Sequence, residues 1–199
     1  MKNLIKHTKK GFLMVTMFAT LLSFANENSF FTIKNDAKKT VLILKNVKEG
    51  NLLSIIDNNG IILYKELIEQ NGVYSKGFDL TSLPDGKYIF ELDKDIQIDT
   101  IPFTVTSNNV VFSKAEEKTI FKPYTRVKGN MLYITKLALN EEPLKIDIYF
   151  SNAIDSKLMY SEKIEGTKNI QKVYRLSGLE QGNYKVVMKT EGKTFTKNI

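Results

Sequence analysis

The chain has 199 residues, 42% of them hydrophobic and 26% charged, which is the composition of a folded globular protein and excludes a disordered or collagen-like one. It has no cysteine and a single histidine, His7, which excludes disulfides, thiol chemistry and cysteine-held zinc. The formal charge of +7 is unevenly placed, because Lys2, Lys6, Lys9 and Lys10 open the chain with no acidic residue among them.

Those lysines precede a short apolar run, Phe12 to Leu22, and then Ser23-Phe24-Ala25, with small residues at the first and third places. That order reads as a secretory signal peptide spanning residues 1–25, cleaved after Ala25. The apolar run is shorter than the ~20 residues a membrane span needs. No cysteine follows it, so a lipoprotein's acyl anchor is not expected. Cleavage would remove four of the 29 basic residues, none of the 22 acids and the one histidine, leaving +3. A mixed Lys and acid surface of that charge is ordinary for an exported protein. Arg126 and Arg175 are the only arginines, so no arginine-rich stripe points to nucleic acid.

Alternating patterns dominate from residue 30 onward. Val41, Ile43 and Lys45 alternate with Leu42 and Leu44. Leu53–Ile56 and Ile61–Leu67 flank Asp57-Asn58-Asn59-Gly60, a hairpin signal because Asn and Gly tolerate positive φ. Tyr88, Phe90 and Leu92 form the next strand, and Ile101, Phe103 and Val105 another, in which Pro102 predicts an edge position. Ser113–Thr119 allows one helical turn. Further strands are expected at 131–137, 144–150, 157–164, 170–176, 184–188 and 193–197. Short strands at this spacing predict antiparallel sandwiches rather than a parallel sheet.

An internal repeat sets the expected domain count. Phe78-Asp-Leu80-Thr-Ser-Leu83-Pro-Asp-Gly86-Lys-Tyr88 matches Tyr174-Arg-Leu176-Ser-Gly-Leu179-Glu-Gln-Gly182-Asn-Tyr184 at an offset of 96. Tyr64-Lys-Glu66 and Tyr160-Ser-Glu162 keep that offset, and Leu53–Ile56 aligns with Asp147–Phe150 at 94. The period matches an immunoglobulin-like domain. The expected organisation is a first sandwich at 28–106, a linker at 107–117 and a second sandwich at 118–199. Within the repeated element Leu83 and Leu179 are expected to plug the core and Gly86 and Gly182 to permit a tight re-entry. Tyr88 and Tyr184 are expected to bury their rings with the hydroxyl on a loop carbonyl, as in a tyrosine corner.

Leu80-Thr-Ser-Leu83-Pro84-Asp-Gly86-Lys-Tyr88 resembles the Leu-x-x-Leu-Pro-x-Gly-x-Tyr turn of the C-terminal sorting domains of the type IX secretion system, found in Bacteroidetes. Residues 125–199 resemble those domains through the Gly182-Asn-Tyr184 strand, the Gly192 turn and the final Lys197-bearing strand. The second copy departs from the pattern, since Glu180 stands where Pro84 does. The resemblance implies an antiparallel β-sandwich from an exported bacterial protein, and as an alternative function a cargo whose last domain is a sorting signal.

Chemistry is sparse after residue 25. Without Cys or His no Ser-His-Asp or Cys-His arrangement can form, and zinc and copper lack their usual ligands. Ser75-Lys76, Ser113-Lys114 and Ser156-Lys157 are adjacent pairs, which a strand points to opposite faces. Asp93, Asp95 and Asp99 surround one loop and offer oxygens to calcium, but they lack the glycine and distal glutamate of a helix-loop-helix site, so a solvated turn is expected. Glu116-Glu117 and Glu141-Glu142 read as loop charges. Tyr64, Tyr74, Tyr124, Tyr133, Tyr149 and Tyr160 fit half-buried strand positions, with glycan or protein binding as the functional alternative. The sequence therefore predicts a non-enzymatic exported module with no cofactor or metal. Its partner would be an unknown protein or glycan at the cell envelope, met in the periplasm, at the cell surface or outside.

Overall fold

The computed structural model describes residues 31–36, 39–151, 156–177 and 182–199. The expected signal segment, residues 1–25, lies outside the described residues, as does Leu179. The first half contains β1 (Phe31–Asp36), β2 (Lys39–Val47), β3 (Leu52–Asp57), β4 (Ile62–Leu67), β5 (Gly72–Phe78), β6 (Gly86–Asp93), β7 (Gln97–Thr106), β8 (Asn109–Phe112) and β9 (Lys118–Phe121). The second contains β10 (Tyr124–Lys128), β11 (Met131–Leu137), β12 (Leu144–Ser151), β13 (Ser156–Ile164), β14 (Asn169–Arg175), β15 (Asn183–Thr190) and β16 (Lys193–Asn198). Every described pairing is antiparallel, and the fold is all-β. Among the described residues, no helix is long and apolar enough to cross a membrane.

Sheets β1-β2-β5 and β4-β3-β6-β7-β8 enclose one hydrophobic core, and sheets β10-β11-β14 and β13-β12-β15-β16 enclose another. Strand for strand the two orders correspond, with β8 and β9 additional in the first half. The inward residues of each alternating run form these cores. Phe78, Phe90 and Phe103 interlock at centroid distances of 5.2 Å in the first. Leu132, Ile134, Ile146 and Val186 are fully buried in the second. Each such side chain contributes about 1.5–3 kcal/mol by leaving water.

Register corrects several sequence expectations. Leu53 pairs with Leu92 and Ile146 with Met188, so Leu53 corresponds to Ile146, one residue nearer than the 94-residue alignment places it. Residues 107–117, expected as a linker, carry β8 and a 3-10 turn at Lys114–Glu116, which realises the helical turn foreseen there. Residues 118–121, expected to begin the second sandwich, form β9 and pair with β7 of the first half. Only Lys122 and Pro123 separate β9 from β10. Pro102 is not on an edge strand, since β7 is flanked by β6 on one side and by β8 and β9 on the other. It is tolerated because it lies where β9 pairing ends and β8 pairing begins, with its carbonyl accepting from the Ser113 N–H at 2.9 Å.

The β3–β4 turn uses Asp57 more than Asn59. The Asp57 carboxylate accepts from the backbone N–H of Asn59 (2.9 Å) and Ile61 (2.8 Å), and only Gly60 takes positive φ. The corner tyrosines behave as the sequence predicts. Tyr88 is buried and donates to the Pro84 carbonyl at 2.7 Å, and Tyr184 is buried and donates to the Ser177 carbonyl at 2.6 Å.

A repeated clasp closes the gap between the two sheets of each half. Glu66 on β4 accepts from Tyr64, from Tyr74 at 2.9 Å and from Lys76 at 2.6 Å, the last two on β5. Glu162 on β13 accepts from Lys172 at 2.9 Å and from Tyr174, both on β14. In each case the glutamate sits on the edge strand of one sheet and its lysine and a tyrosine donor on the edge strand of the other.

The β15–β16 turn, Glu191-Gly192, reaches the first half. Its two residues have φ of 50° and 76°, the pattern of a type I′ hairpin. The Glu191 carboxylate is buried between Lys118 of β9 at 2.8 Å and Lys136 of β11 at 3.6 Å, and Lys193 pairs with Glu91 of β6.

Candidate functional site

The outer face of sheet β10-β11-β14 is the most distinctive surface. Strand alternation turns Tyr124, Arg126 and Lys128 of β10 outward, with Met131, Tyr133, Thr135 and Leu137 of β11 and Asn169, Gln171, Val173 and Arg175 of β14. None of these residues is acidic. Register sets Arg126 opposite Tyr133, Tyr133 opposite Val173, and Met131 opposite Arg175. Both arginines of the chain thus share one face, on either side of the strand that carries Tyr133. Tyr124 is 64% exposed and Val173 53%. Tyr124, Arg126, Lys128, Tyr133 and Thr135 line a shallow groove of about 380 Å³. The matching face of the first half presents Val41 and Ile43 on β2 and Val73 and Ser75 on β5, with no ring and no arginine.

Planar guanidinium groups offer forked donors to carboxylate, sulfate or phosphate, and tyrosine offers a flat face with a polar tip. Side by side and without an acidic partner among the described ion pairs, they suit a ligand that is flat, hydroxylated and anionic.

The remaining sequence candidates are dispersed. Asp93 pairs with Lys122, Asp95 with Lys48 at 3.6 Å, and Asp99 with Lys94 at 2.7 Å. Asp99 is 1% exposed and also accepts from Thr119 at 2.7 Å and Gln97 at 2.8 Å, so this residue is a buried strand anchor and not part of a solvated turn. Ser75 faces outward while Lys76 turns to Glu66, and Ser151 donates to Ser156 at 2.8 Å. Glu142 accepts from the Asn140 side chain at 3.0 Å, within its own loop. Tyr64 and Tyr74 belong to the Glu66 clasp, and Tyr160 packs its ring on Tyr174 at 5.6 Å. Of the six tyrosines singled out in the sequence, only Tyr124 and Tyr133 meet on the basic face.

The clasps perturb titration. The Lys76 hydrogen bond, aided by Tyr74, holds the Glu66 carboxyl below the usual carboxylate range against the opposing cost of burial. Burial pushes Glu162 up, but the bonds from Tyr174 and Lys172 outweigh it and its pKa also falls. Burial, and then the adjacent carboxylate, raise the phenols of Tyr74 and Tyr174.

Sequence reading missed the basic face because Arg126 and Arg175 are far apart along the chain and meet only through β11. One signal was available. Residues 26–121 carry 11 lysines against 14 acids, whereas residues 122–199 carry 14 Lys and Arg against 8 acids. The expected mature charge of +3 hides an acidic first half and a basic second half.

No protein-family profile and no curated protein matches the chain. Among solved structures, one described as "Structural basis of neurohormone perception by the receptor tyrosine kinase Torso" is similar over 86% of this chain and 72% of that one. The identity is 10% and the TM-score 0.25, a likeness that carries no inference about fold or function.

Proposed function

We propose that the chain is an exported, non-enzymatic binding module of two tandem immunoglobulin-like β-sandwiches, which holds an acidic glycan at the cell envelope on the outer face of β10-β11-β14. The observation that carries this reading is the meeting of Arg126, Arg175, Tyr124 and Tyr133 on a face without a carboxylate. The strand orders support the tandem arrangement, since a three-stranded sheet opposite a sheet of at least four strands recurs in both halves with corresponding connections. The lysine-rich start and short apolar run of residues 1–25 support export.

The test is binding of the full chain to polygalacturonate, with a neutral glucan as control. Arg126→Ala and Tyr133→Ala should each weaken binding to the acidic polymer at least tenfold, and raising the salt should weaken it further. Equal binding of both polymers, or variants that bind like the parent, would reject the reading. Capture of an envelope protein in place of the glycan would do so as well.

A second reading is a type IX secretion cargo whose last domain directs export. It is favoured by the terminal strand: β16 is a sheet edge, and Ile199 exchanges two 2.9 Å backbone hydrogen bonds with Tyr184 of the repeated corner. Appending residues 122–199 to a periplasmic reporter in a type IX-competent bacterium tests it, and a reporter that stays in the periplasm would exclude it.

A further inference from the structure

The second sheet of the C-terminal half carries a different charged feature. Lys145 on β12 is register-paired with Lys163 on β13 and with Lys189 on β15, so three lysines form one rung across three adjacent strands. Directly paired residues have Cβ atoms about 4.5–5.5 Å apart, and like charges there are destabilising. The fold does not require them. At the corresponding positions the first half pairs Leu52 with Leu67 and with Asp93.

Compensation is partial. Asp147 lies 3.4 Å from Lys145, and Glu165 pairs with Lys163. No described ion pair holds Lys189, which attracts the Asp147 carboxylate without bonding to it. The rung opens on a groove of about 260 Å³ that Lys193, Thr190 and Gly192 also line. Glu191 lines it too, but its oxygens face Lys118 and Lys136, and Lys193 is held by Glu91. Thr190, next along β15, turns its side chain to the buried inner face, so the lysines alone furnish the charge of the groove.

We infer that the groove over the Lys163–Lys145–Lys189 rung is a binding site for a single phosphate or sulfate group. Three ammonium groups supply both the charge and the donors to the oxyanion oxygens. The volume is below the ~300–1,000 Å³ of pockets that enclose drug-sized ligands, so it fits one tetrahedral group with a small substituent. The site lies on the opposite sheet from the arginine face and does not depend on that reading.

The experiment is a melting and calorimetric titration of the full chain with inorganic phosphate, inorganic sulfate and galactose 6-sulfate, against sodium chloride at matched ionic strength. Phosphate or sulfate should raise the melting temperature where chloride does not. Lys145→Gln with Lys189→Gln should weaken binding at least tenfold, and Lys145→Arg with Lys189→Arg should retain it. Lys185→Gln, farther along the same outer face, should leave it unchanged. Binding of the free ions as well as the sugar sulfate identifies the ion itself as a ligand, and binding of the sugar sulfate alone identifies an ester-bearing glycan. Either supports the site. A response equal to that of chloride, or one that survives the double glutamine substitution, would overturn it. So would loss of the response on Arg126→Ala, which would place the anion on the other sheet.

Discussion

Two glycines at equivalent corners carry different loads. A Cβ on Gly182 would lie 2.6 Å from the Phe150 ring and would also collide with the Ser151 carbonyl, whereas at Gly86 the nearest atom is the Tyr88 hydroxyl oxygen at 3.4 Å. Neither residue has positive φ, so the constraint is one of space. Gly182→Ala should destabilise the chain by about 1–3 kcal/mol, as overpacking does. Gly86→Ala should stay within about 0.5 kcal/mol. Parallel melting curves check the contrast, and equal losses would show that the corners are held alike. At the neighbouring tyrosine, Tyr184→Phe removes only the bond to Ser177 and should cost about 1–2 kcal/mol. Tyr184→Ala also empties the ring's place and should cost about 3–5 kcal/mol. The sequence pattern Gly-x-Tyr announced both corners. It did not show which glycine is crowded, because that depends on how Phe150 of β12 enters the corner.

At the scale of the strand, the Glu66 and Glu162 clasps join edges that no backbone ladder can join. Both carboxyls have folded pKa values below that of an ordinary glutamate, so each adds stability above the ordinary value and loses it as the pH falls through the folded one. Glu66→Gln with Glu162→Gln should therefore lower stability at pH 7, and by progressively less as the pH falls through the acidic range, measured by urea unfolding across that range. The raised phenols of Tyr74 and Tyr174 add stability below pH 10, lost as the pH climbs toward their folded values. In an alkaline spectrophotometric titration these two should ionise only as the protein unfolds. Tyr74→Phe or Tyr174→Phe should each remove part of the late transition. The strands with clean alternation, such as Met131–Leu137, could be read directly from the sequence. β5 could not, because Gly72, Ser75 and Gly77 interrupt its pattern, and β8, β9 and β10 are too short to display a period.

Across the whole molecule, Glu191 is the residue on which both halves converge. A glutamate at the first position of a type I′ turn gives up the easy left-handed backbone of asparagine or glycine. Here the same residue neutralises Lys118 and the almost wholly buried Lys136. Glu191→Asn should improve the turn and still destabilise the protein, by about 3–5 kcal/mol, because Lys136 would lose the carboxylate it pairs with. Thermal unfolding of the variant checks this, and a stability equal to or above the parent's would show that the turn, not the ion pair, governs the site. Glu191-Gly192 reads in sequence as an ordinary hairpin tip. Its role depends on β9 belonging to the first half, which the residue pattern around 107–121 disguised as a linker.

That placement of β9 leaves Lys122 and Pro123 as the whole passage to β10. Lys122 is fixed at both its backbone, donating to the Ile96 carbonyl at 2.9 Å, and its ammonium, on Asp93. Two extended residues span about 7 Å at most, and proline fixes one of the torsions between them. A pulling force along the chain therefore meets no slack at the joint. It acts at once on the hydrogen bonds of β9 and β10, and stretching begins with the shearing of strands rather than the uncoiling of a tether.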